Sequence, residues 1–440
     1  MVNGFDAARL GSLPERERKL IERRQALLGP SYRLFYETPV HVVRAEGVWL
    51  FGPDGEAYLD AYNNVPSVGH CHPHVVKAIA SQAAELNTHT RYLGEQVLDY
   101  SERLLSTFPD ELDRVMYTCT GSEAVDLALR LSRYHTGGTG IIITDNAYHG
   151  VTAAAAEISP SLGPNLPLGP HVMTVSAPDA RCAHGHDAGA ALAKDVAMAI
   201  AHMRRRGIVP AAFIADSIFS TDGIFSDPAG FLKPVADLLR REGILYIADE
   251  VQPGFGRLGS HMWGFQRHGI TPDITVLGKP MGNGMPIAAV VTKSDIQERF
   301  GQDIRYFNTF GANNVSIAAA SAVLDVIDDE RLMENAKAVG DHLHAGLVRL
   351  QERFPVIGDV RGTGLFLGVE FVRDEHGHEP DGAAALWVVN ALRERRVLIS
   401  ASGKNGNVLK IRPPLPFSRD NADLFLDTLE VVLSERRRGA

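Results

Sequence analysis

The chain has 440 residues, 45% of them hydrophobic, and it carries a formal net charge of −9 at pH 7. A chain of this length can bury a large core, and we expect one large domain and one smaller domain. The negative charge argues against general nucleic-acid binding, because that function requires a clustered basic surface. We therefore expect a small-molecule partner and no nucleic acid.

Cysteine usage and hydropathy indicate the compartment. Cys71, Cys119 and Cys182 are too few and too scattered for a disulfide framework, which favours a reducing environment. The first residues have the pattern of a charged amphipathic helix and lack the apolar core of a secretory signal. No apolar run approaches the roughly 20 residues that cross a bilayer. These features predict a cytoplasmic protein with no membrane partner.

The first part of the chain predicts a leading helix followed by a β-hairpin. A helix with a frayed end is expected over residues 1–29, and the hairpin is expected over residues 40–60. In the hairpin, VHVVRAEGVWLFGPDGEAYLD alternates apolar and polar side chains around Pro-Asp-Gly, a turn sequence. We assign residues 1–73 to the N-terminal part of a small domain.

From about His74 the pattern changes to long helices that alternate with short apolar strands. Strands that are apolar on both faces and separated by helical crossovers are typical of a mainly parallel sheet covered by helices on each side. The sequence therefore predicts an α/β fold with a seven-stranded sheet in a large domain over residues 74–325. The seven strands are predicted at 114–118, 140–144, 171–175, 211–216, 244–249, 273–277 and 286–292.

The last part of the chain predicts the remainder of the small domain. Beyond about Ala320 the helices lengthen, and strands are expected at 361–371 and 408–413. We assign residues 326–440 to this C-terminal part, so that the smaller α/β domain is built from both chain ends.

The loop after the first strand of the large domain has the composition of a phosphate-binding loop. In TCTGSEAVDLALRLSR, Gly121 and Ser122 lead into a helix with Glu123 in its first turn. Free backbone amides, a hydroxyl and the positive end of a helix together bind phosphate. An ordinary serine N-cap is the alternative, and this loop by itself does not decide between them.

Two more loops follow strand ends, where parallel sheets bind their ligands. Asp249 ends the strand of ILYIADEVQPGFGRLG, where it either pairs with a buried cation or holds the protonated ring nitrogen of a cofactor. Lys279 lies among glycines and prolines in PDITVLGKPMGNGMP. A lysine in such a partly apolar site readily becomes neutral and nucleophilic, so it is a candidate Schiff-base lysine. A phosphate loop, a carboxylate and an amine together supply the contacts that pyridoxal phosphate requires.

These residues carry a resemblance to a known family. LDAYNNVPSVGHCHP, TGSEAVDLALRL, AYHG, ADEVQPGFGRLG, GKPMGNGMP and NTFGANNVS occur in the order found in class III aminotransferases, which are fold type I pyridoxal phosphate enzymes. The resemblance implies that Lys279 is the Schiff-base lysine and general base, and that Asp249 partners the pyridine nitrogen.

The same resemblance assigns the remaining cofactor contacts. It implies that Gly121 and Ser122 bind the phosphate, and that Thr309 reaches the phosphate of the neighbouring protomer in a homodimer, with the question of tetramers left open. It also places five side chains around the ring: Tyr148 and His149 of AYHG, Asp216, Val251 and Gln252. Two positions depart from the family pattern. Val125 replaces a common Asn, and Asp216 replaces a common Glu whose longer side chain would hold substrate or ring differently.

The resemblance leaves the reaction type open between elimination and amino transfer. NNVPSVGHCHP, NTHTRYLGEQVLDYSERL, GKPMGNG and NVLKIRPPLPF are more similar to the phospho-lyase branch, which cleaves O-phosphoethanolamine or phosphohydroxylysine. Arg91 and Arg412 lie in these stretches, and an arginine fork suits a phosphate dianion. In a transaminase, Arg412 would instead bind a carboxylate. We expect a phospho-lyase acting on a phosphorylated amine, with a class III transaminase as the alternative.

Three other patterns are set aside. GFGRLG at 254–259 fits the dinucleotide fingerprint, but Pro253 precedes it and no helix pattern follows. GHCHPHV places His70, Cys71, His72 and His74 close together, yet adjacent residues rarely form a tetrahedral site, and no metal is expected. The segment 180–187 is expected to be a polar surface loop. A catalytically silent binding protein with the same fold is a poor alternative, because all three cofactor contacts are present.

Overall fold

The computed structural model describes residues 3–179, 187–373 and 379–439. Cys182 and most of the predicted polar loop at 180–187 lie outside these ranges. The strands are β1 Arg44–Glu46, β2 Trp49–Phe51, β3 Ala57–Asp60, β4 Arg114–Thr118, β5 Gly140–Thr144, β6 Val172–Val175, β7 Pro210–Asp216, β8 Leu245–Asp249, β9 Ile274–Leu277, β10 Ala288–Thr292, β11 Ile357–Thr363, β12 Phe366–Phe371, β13 Val397–Leu398, β14 Ser400–Ser402 and β15 Val408–Ile411.

The α-helices alternate with these strands through the middle of the chain. They are α1 Glu15–Leu28, α2 Pro73–Glu85, α3 Glu95–Leu105, α4 Gly121–Thr136, α5 Ala153–Ala156, α6 Ala188–Arg205, α7 Lys233–Glu242, α8 Gly264–Arg267, α9 Ser294–Asp303, α10 Asn314–Asp329, α11 Leu332–Arg353, α12 Gly382–Glu394 and α13 Arg419–Gly439. In the described ranges, no helix is both long enough and apolar enough to cross a membrane.

The central sheet has the seven strands that the sequence predicts. Their order is β4-β10-β9-β8-β7-β5-β6, and only β10 runs antiparallel to its neighbours. The predicted mainly parallel α/β sheet is therefore confirmed. Because the other six strands run the same way, their carboxyl ends lie along one edge of the sheet. That edge is where ligands bind in such folds.

Alternate residues of these strands enter two separate cores. Ile142 and Phe213 pack on one face with Val196 of α6 and Leu239 of α7. Ile141, Ile143 and Ile214 pack on the opposite face with Leu127 and Leu131 of α4. Apolar strands are stable here because helices cover both faces and remove both sets of side chains from water.

The small domain combines strands from both ends of the chain, as predicted. The hairpin around Pro-Asp-Gly is present, with Phe51 opposite Ala57, and β1 adds a third strand beside β2. The two-residue strand β13 pairs in parallel with β3, which joins the C-terminal region to the N-terminal region. A second sheet has the order β11-β12-β15-β14. The boundaries at residues 73 and 325 stay a prediction.

The leading helix starts later than the sequence pattern suggests. Residues Ala7–Ser12 form a 3₁₀ turn capped by Asp6, and α1 starts only after Pro14. Proline lacks the amide hydrogen that a helix interior needs, but it is tolerated at a helix start. The predicted leading helix with a frayed end is therefore present as Glu15–Leu28, and the residues before it form a separate 3₁₀ turn.

Two helical glycines give opposite expectations for stability. A Cβ at Gly340 of α11 would lie 2.2 Å from the carbonyl oxygen of Gly364, whereas a Cβ at Gly301 of α9 would meet its nearest neighbour at 3.5 Å. We expect Gly340→Ala to lower the free energy of unfolding by about 1–3 kcal/mol through overpacking. Gly301→Ala should raise it by up to about 1 kcal/mol. Denaturant unfolding of both variants measures this, and equal effects would contradict the packing assigned to Gly340.

Candidate active site

A cleft of about 450 Å³ opens where the carboxyl edge of the central sheet meets the small domain. Its lining includes Lys279, with Tyr148 and Gln252 from the loops after β5 and β8. The small domain contributes Lys404, Lys410 and Arg412. Every charged side chain that lines this cleft in the described part of the chain is basic, which favours an anionic ligand.

The three loops singled out in the sequence meet beside this cleft. A Cβ placed on Gly121 would lie 3.3 Å from Cγ2 of Val251, and one placed on Gly278 would lie 3.4 Å from Cα of Gly121. The start of α4, the loop after β8 and the loop after β9 are thus in van der Waals contact. Glycine at 121 and 278 permits this close approach, because larger residues would push the loops apart.

The loop before α4 leaves two amides and a hydroxyl available for a ligand. Thr120 caps α4 by accepting from the Glu123 amide at 3.2 Å, and the Glu123 carboxylate accepts from the Cys119 amide at 2.7 Å. The amides of Gly121 and Ser122 have no acceptor among the described residues. Because Thr120 is the cap, the Ser122 hydroxyl is not used for capping, and it accepts a hydrogen bond from Val151 at 3.1 Å. The geometry fits a phosphate group.

Asp249 at the end of β8 is buried and bound to a histidine. Nδ1 of His149 lies 2.7 Å from Oδ2 of Asp249, and Oδ1 accepts from the Val251 amide at 3.1 Å. An ionised carboxylate only accepts hydrogen bonds, so the proton of this pair lies on Nδ1. Nε2 of His149 is buried and has no partner among the described residues. No Lys or Arg neutralises Asp249 at ion-pair distance in the described chain, so the carboxylate is suited to a cationic ring nitrogen.

Asp216 lies beside Asp249 at the end of the neighbouring strand. The two residues are register partners in the β7–β8 pair. The Asp216 carboxylate accepts from the Ile218 amide at 2.9 Å and from the amide and hydroxyl of Ser220. Burial raises the pKa of Asp216, and the nearby Asp249 raises it further. The Asp216 carboxylate therefore stabilises the loop that follows β7. Because its pKa is raised, Asp216 is protonated more easily than an ordinary aspartate.

The side chains predicted around the cofactor ring lie close to these carboxylates. Tyr148 lines the cleft, and burial, with Asp249 as the smaller cause, raises the pKa of its hydroxyl. Val251 is buried against Gly121. The Gln252 amide nitrogen donates to Ser220 at 2.7 Å, and its oxygen accepts from Arg412. Gln252 thus connects the loop after β7 with β15.

Lys279 begins a short 3₁₀ turn, Lys279–Gly282, directly after β9. Burial lowers the pKa of its ammonium group to about 8, and the nearby Arg412 lowers it in the same direction, while Asp249 and Asp216 oppose the change. A protonated lysine beside another cation loses its proton more easily. The predicted activation of Lys279 is therefore consistent with its surroundings.

Arg412, the arginine of NVLKIRPPLPF, lines this cleft. Among the described residues, its side-chain hydrogen bonds go to neutral groups. Nη1 of Arg412 donates to Asn64 at 2.9 Å and to Gln252, and its guanidinium lies 4.4 Å from the ring centre of Tyr62. Arg412 is buried, and Nε has no partner among the described residues. No carboxylate lies within ion-pair distance of Arg412 in the described chain.

Lys410 was missed by the sequence reasoning. Lys410 lies on β15, and Arg412 follows two residues later, directly after the strand. In an extended chain such residues point to the same face, and both line the cleft. Burial lowers the pKa of Lys410 well below its usual value, with Arg412 as the next cause. The alternation in VLKIRP was the available signal, since a lysine inside an apolar strand is unusual.

Arg91 and Thr309 are not brought to the cleft of their own chain. The Arg91 guanidinium lies 3.7 Å from the ring centre of Phe307, and Arg91 is exposed. Thr309 is also exposed, two residues after Phe307. The resemblance assigned Thr309 to the site of a neighbouring protomer. The roles of Arg91 in substrate binding and of Thr309 in cofactor binding stay predictions.

The patterns set aside in the sequence have structural partners. Arg257 of GFGRLG is fully buried and donates to the carbonyls of Leu365 and Pro413. His70 pairs with Asp60 at 2.7 Å, and His72 and His74 pair with Glu330 and Asp325 respectively. In the described ranges, no group of three or more potential ligands is placed to hold a metal ion.

Comparison with known proteins agrees with the predicted fold and with the predicted cofactor. The sequence profile of the family described as "Aminotransferase class-III" matches residues 34–433. The chain belongs to the class III aminotransferases. This family and the solved structures that resemble the chain are fold type I pyridoxal phosphate enzymes, so the cofactor is pyridoxal 5′-phosphate.

Three similar proteins show what this class III member resembles. A solved phospholyase from Arthrobacter in complex with phosphoethanolamine is 44% identical, with a TM-score of 0.91, and the match covers 94% of this chain and 99% of that one. An "Alanine--glyoxylate aminotransferase 2-like" protein from Drosophila melanogaster is 42% identical over 96% of this chain and 88% of its own length. An "Ethanolamine-phosphate phospho-lyase homolog 1" from Caenorhabditis elegans is 37% identical, covering 96% and 94% of the two chains.

The lowered pKa of Lys279 predicts how the cofactor-free enzyme takes up pyridoxal phosphate. Only the neutral amine attacks an aldehyde, so the uptake rate should rise with pH, with a midpoint near pH 8 rather than near 10.5. Replacing Arg412 with Met removes a cation that disfavours the ammonium form, so the midpoint should move to higher pH. Stopped-flow absorbance across a pH series measures both enzymes. If the pH midpoint of uptake in Arg412→Met is unchanged or lower, this electrostatic coupling is contradicted.

Proposed function

We propose that the protein is a pyridoxal phosphate-dependent phospho-lyase that eliminates phosphate and ammonia from an O-phosphorylated amino alcohol such as O-phosphoethanolamine. The observation that carries this proposal is Arg412, a buried guanidinium that lines the cleft beside Lys279 and has no carboxylate at ion-pair distance in the described chain. An unpaired buried cation is costly, so an anionic group of the substrate is its natural partner.

The residues around the cleft would hold the cofactor by three attachments. The free amides of Gly121 and Ser122 and the Ser122 hydroxyl would bind its phosphate, with Thr309 reaching it from a second protomer. Asp249, oriented by His149 at 2.7 Å, would hold the ring nitrogen in its protonated form. Tyr148 and Val251 would cover the two ring faces, with Gln252 near the ring hydroxyl. When bound, the cofactor supplies an electron sink for the carbon that carries the amino group of the substrate.

Lys279 would then move the proton on which the reaction depends. With a pKa of about 8, its amine can accept the proton from the amino-bearing carbon near neutral pH. The electron pair left on that carbon expels the phosphate as the neighbouring carbon–oxygen bond breaks. Uptake of one water by the remaining two-carbon unit gives acetaldehyde and ammonia. Arg412 would hold the phosphate in place and stabilise the charge that it carries away.

The similar proteins support both this reaction and the alternative. The Arthrobacter structure contains phosphoethanolamine, and the Caenorhabditis relative is named as a phospho-lyase homolog. The Drosophila relative carries an aminotransferase name, and Arg412 would equally suit a substrate carboxylate. A class III transaminase is therefore the second candidate, and it requires a keto acid as amino acceptor.

Phosphate release without a keto acid separates the two reactions. We expect the holoenzyme to convert O-phosphoethanolamine to phosphate, ammonia and acetaldehyde with no added pyruvate or oxoglutarate. Lys279→Ala should lose this activity and also the absorbance band of the cofactor–lysine bond, since no other amine replaces it. Colorimetric phosphate release measures the reaction. Product that forms only after a keto acid is added would establish the transaminase instead.

We also propose that the protein works as a homodimer. Large apolar side chains are exposed beside Thr309 and Arg91, with Tyr92 and Phe310 each 69% exposed and Leu93 fully exposed. Such residues are typical of a protein interface rather than of a free surface. A second protomer covering them would bring its Thr309 towards the cofactor phosphate of this one.

A charge in this surface should weaken the dimer. Phe310→Glu is expected to shift sedimentation towards monomer, since burying one large apolar side chain contributes about 1.5–3 kcal/mol. Leu424→Glu, at another exposed apolar position on α13, serves as the matched control and should sediment like the unmodified protein. An unchanged assembly in Phe310→Glu would argue against this interface.

A further inference from the structure

We propose that Lys410 is the second cation of a phosphate-dianion site, and that it makes the cleft select a phosphorylated amine over a substrate that carries a single-charged carboxylate. This inference rests on the proposed function and deepens it, because Arg412 by itself suits either anion. The substrate class is a short phosphate monoester of an amino alcohol.

The placement of Lys410 on β15 supports this role. Lys410 and Arg412 are separated by one residue, so both side chains leave the strand on the cleft side. The cross-strand neighbours of Lys410 are Gly368 on β12 and Ser400 on β14, and neither carries a charge. The Lys410 ammonium lies 5.5 Å from the ring centre of Phe366.

No carboxylate of the described chain neutralises Lys410 at ion-pair distance. Asp216 and Asp222 are near enough to favour its charged form, while Arg412 and Lys279 disfavour it. Asp216 already accepts hydrogen bonds from Ile218 and Ser220, and Asp222 accepts from Thr144 at 2.9 Å. Burial also raises the pKa of Asp222 to about 7. Both carboxylates are therefore poor permanent counter-ions, and an incoming anion meets the Arg412 guanidinium and a Lys410 amine whose charged form it favours.

The number of cations matters for the choice of substrate. A phosphate monoester carries two negative charges above about pH 7, and a carboxylate carries one. A dianion can be matched by Arg412 together with a protonated Lys410, whereas a carboxylate is already matched by Arg412 and provides no second charge to favour the Lys410 ammonium form. Lys404 at the rim adds little, because it is 69% exposed and already paired with Asp145 at 2.9 Å.

Binding of the dianion should draw a proton onto Lys410. In the empty cleft its pKa is depressed by burial and by Arg412, so its ammonium form is disfavoured. A bound dianion favours the ammonium form, and the pKa rises on binding. Phosphate affinity should therefore fall as the pH increases through the range where Lys410 loses its proton. In the holoenzyme Lys279 is occupied by the cofactor and does not contribute to this change.

Calorimetric titration of the cofactor-saturated holoenzyme with inorganic phosphate tests the proposal without turnover. Saturation with cofactor keeps the loop at Gly121 and Ser122 filled, so that added phosphate reports on the substrate cleft. We expect Lys410→Met to weaken phosphate binding by about tenfold or more, since a charge-assisted hydrogen bond is lost. Lys404→Met, the matched control, should change the affinity less than about twofold.

Lys410→Arg distinguishes binding from a merely structural role. Arginine stays charged at every accessible pH, so this variant should keep phosphate affinity and lose its decline at alkaline pH. Thermal unfolding of all three variants reports whether each is folded. Unchanged phosphate affinity in folded Lys410→Met would overturn the proposal even if the enzyme releases phosphate from O-phosphoethanolamine. If phosphate binding depends on Lys410 but the enzyme has no lyase activity, the phosphate site is supported and the proposed reaction is rejected.

Discussion

The site is organised by the cost of burying positive charge without enough negative charge beside it. Lys279, Lys410 and Arg412 line one cleft, and its lining in the described chain has no acidic residue. Removing an ammonium or guanidinium group from water is unfavourable unless an anion replaces the lost hydration. The protein responds in two ways, since the lysines lose their protons more easily and Arg412 donates to the neutral oxygens of Asn64 and Gln252. A bound anion removes the remaining cost.

The carboxylates near this cleft already have hydrogen-bond partners of their own. Asp249 is bound to His149, and Asp216 is bound to its own loop through Ser220. In this arrangement Asp249 has no Lys or Arg at ion-pair distance in the described chain, and every charged side chain that lines the cleft there is basic. The Gln252 side chain bridges these two parts of the site, because its nitrogen donates to Ser220 and its oxygen accepts from Arg412. One glutamine thus links the loop of Asp216 to Arg412.

Much of the fold was predictable because local sequence and burial agree. The strands of the central sheet are short, mainly apolar runs that are ended or directly followed by Gly, Asp, Thr or Ser, and the predicted positions are confirmed. Thr120 and Glu123 match the capping-box pattern, so the choice of Thr120 over Ser122 as the cap also had a sequence signal. The pairing of His149 with Asp249 had no sequence signal, since 100 residues separate them. For Lys410 the sequence signal was a lysine within an apolar strand, and only the structure shows that it lies near Lys279. The cytoplasmic location stays a prediction from cysteine usage.

GFGRLG, which matches the dinucleotide fingerprint, packs against the segment that carries Arg412. Arg257 of GFGRLG donates to the carbonyl of Pro413, the residue directly after Arg412, and to that of Leu365, just before β12. Its glycines allow the loop to pass close to α11, since a Cβ on Gly259 would lie 2.6 Å from the Lys337 amide. A large-domain loop that follows Asp249 is thereby fastened to the end of β15. One buried arginine therefore links the loop that follows Asp249 to the segment that carries Arg412.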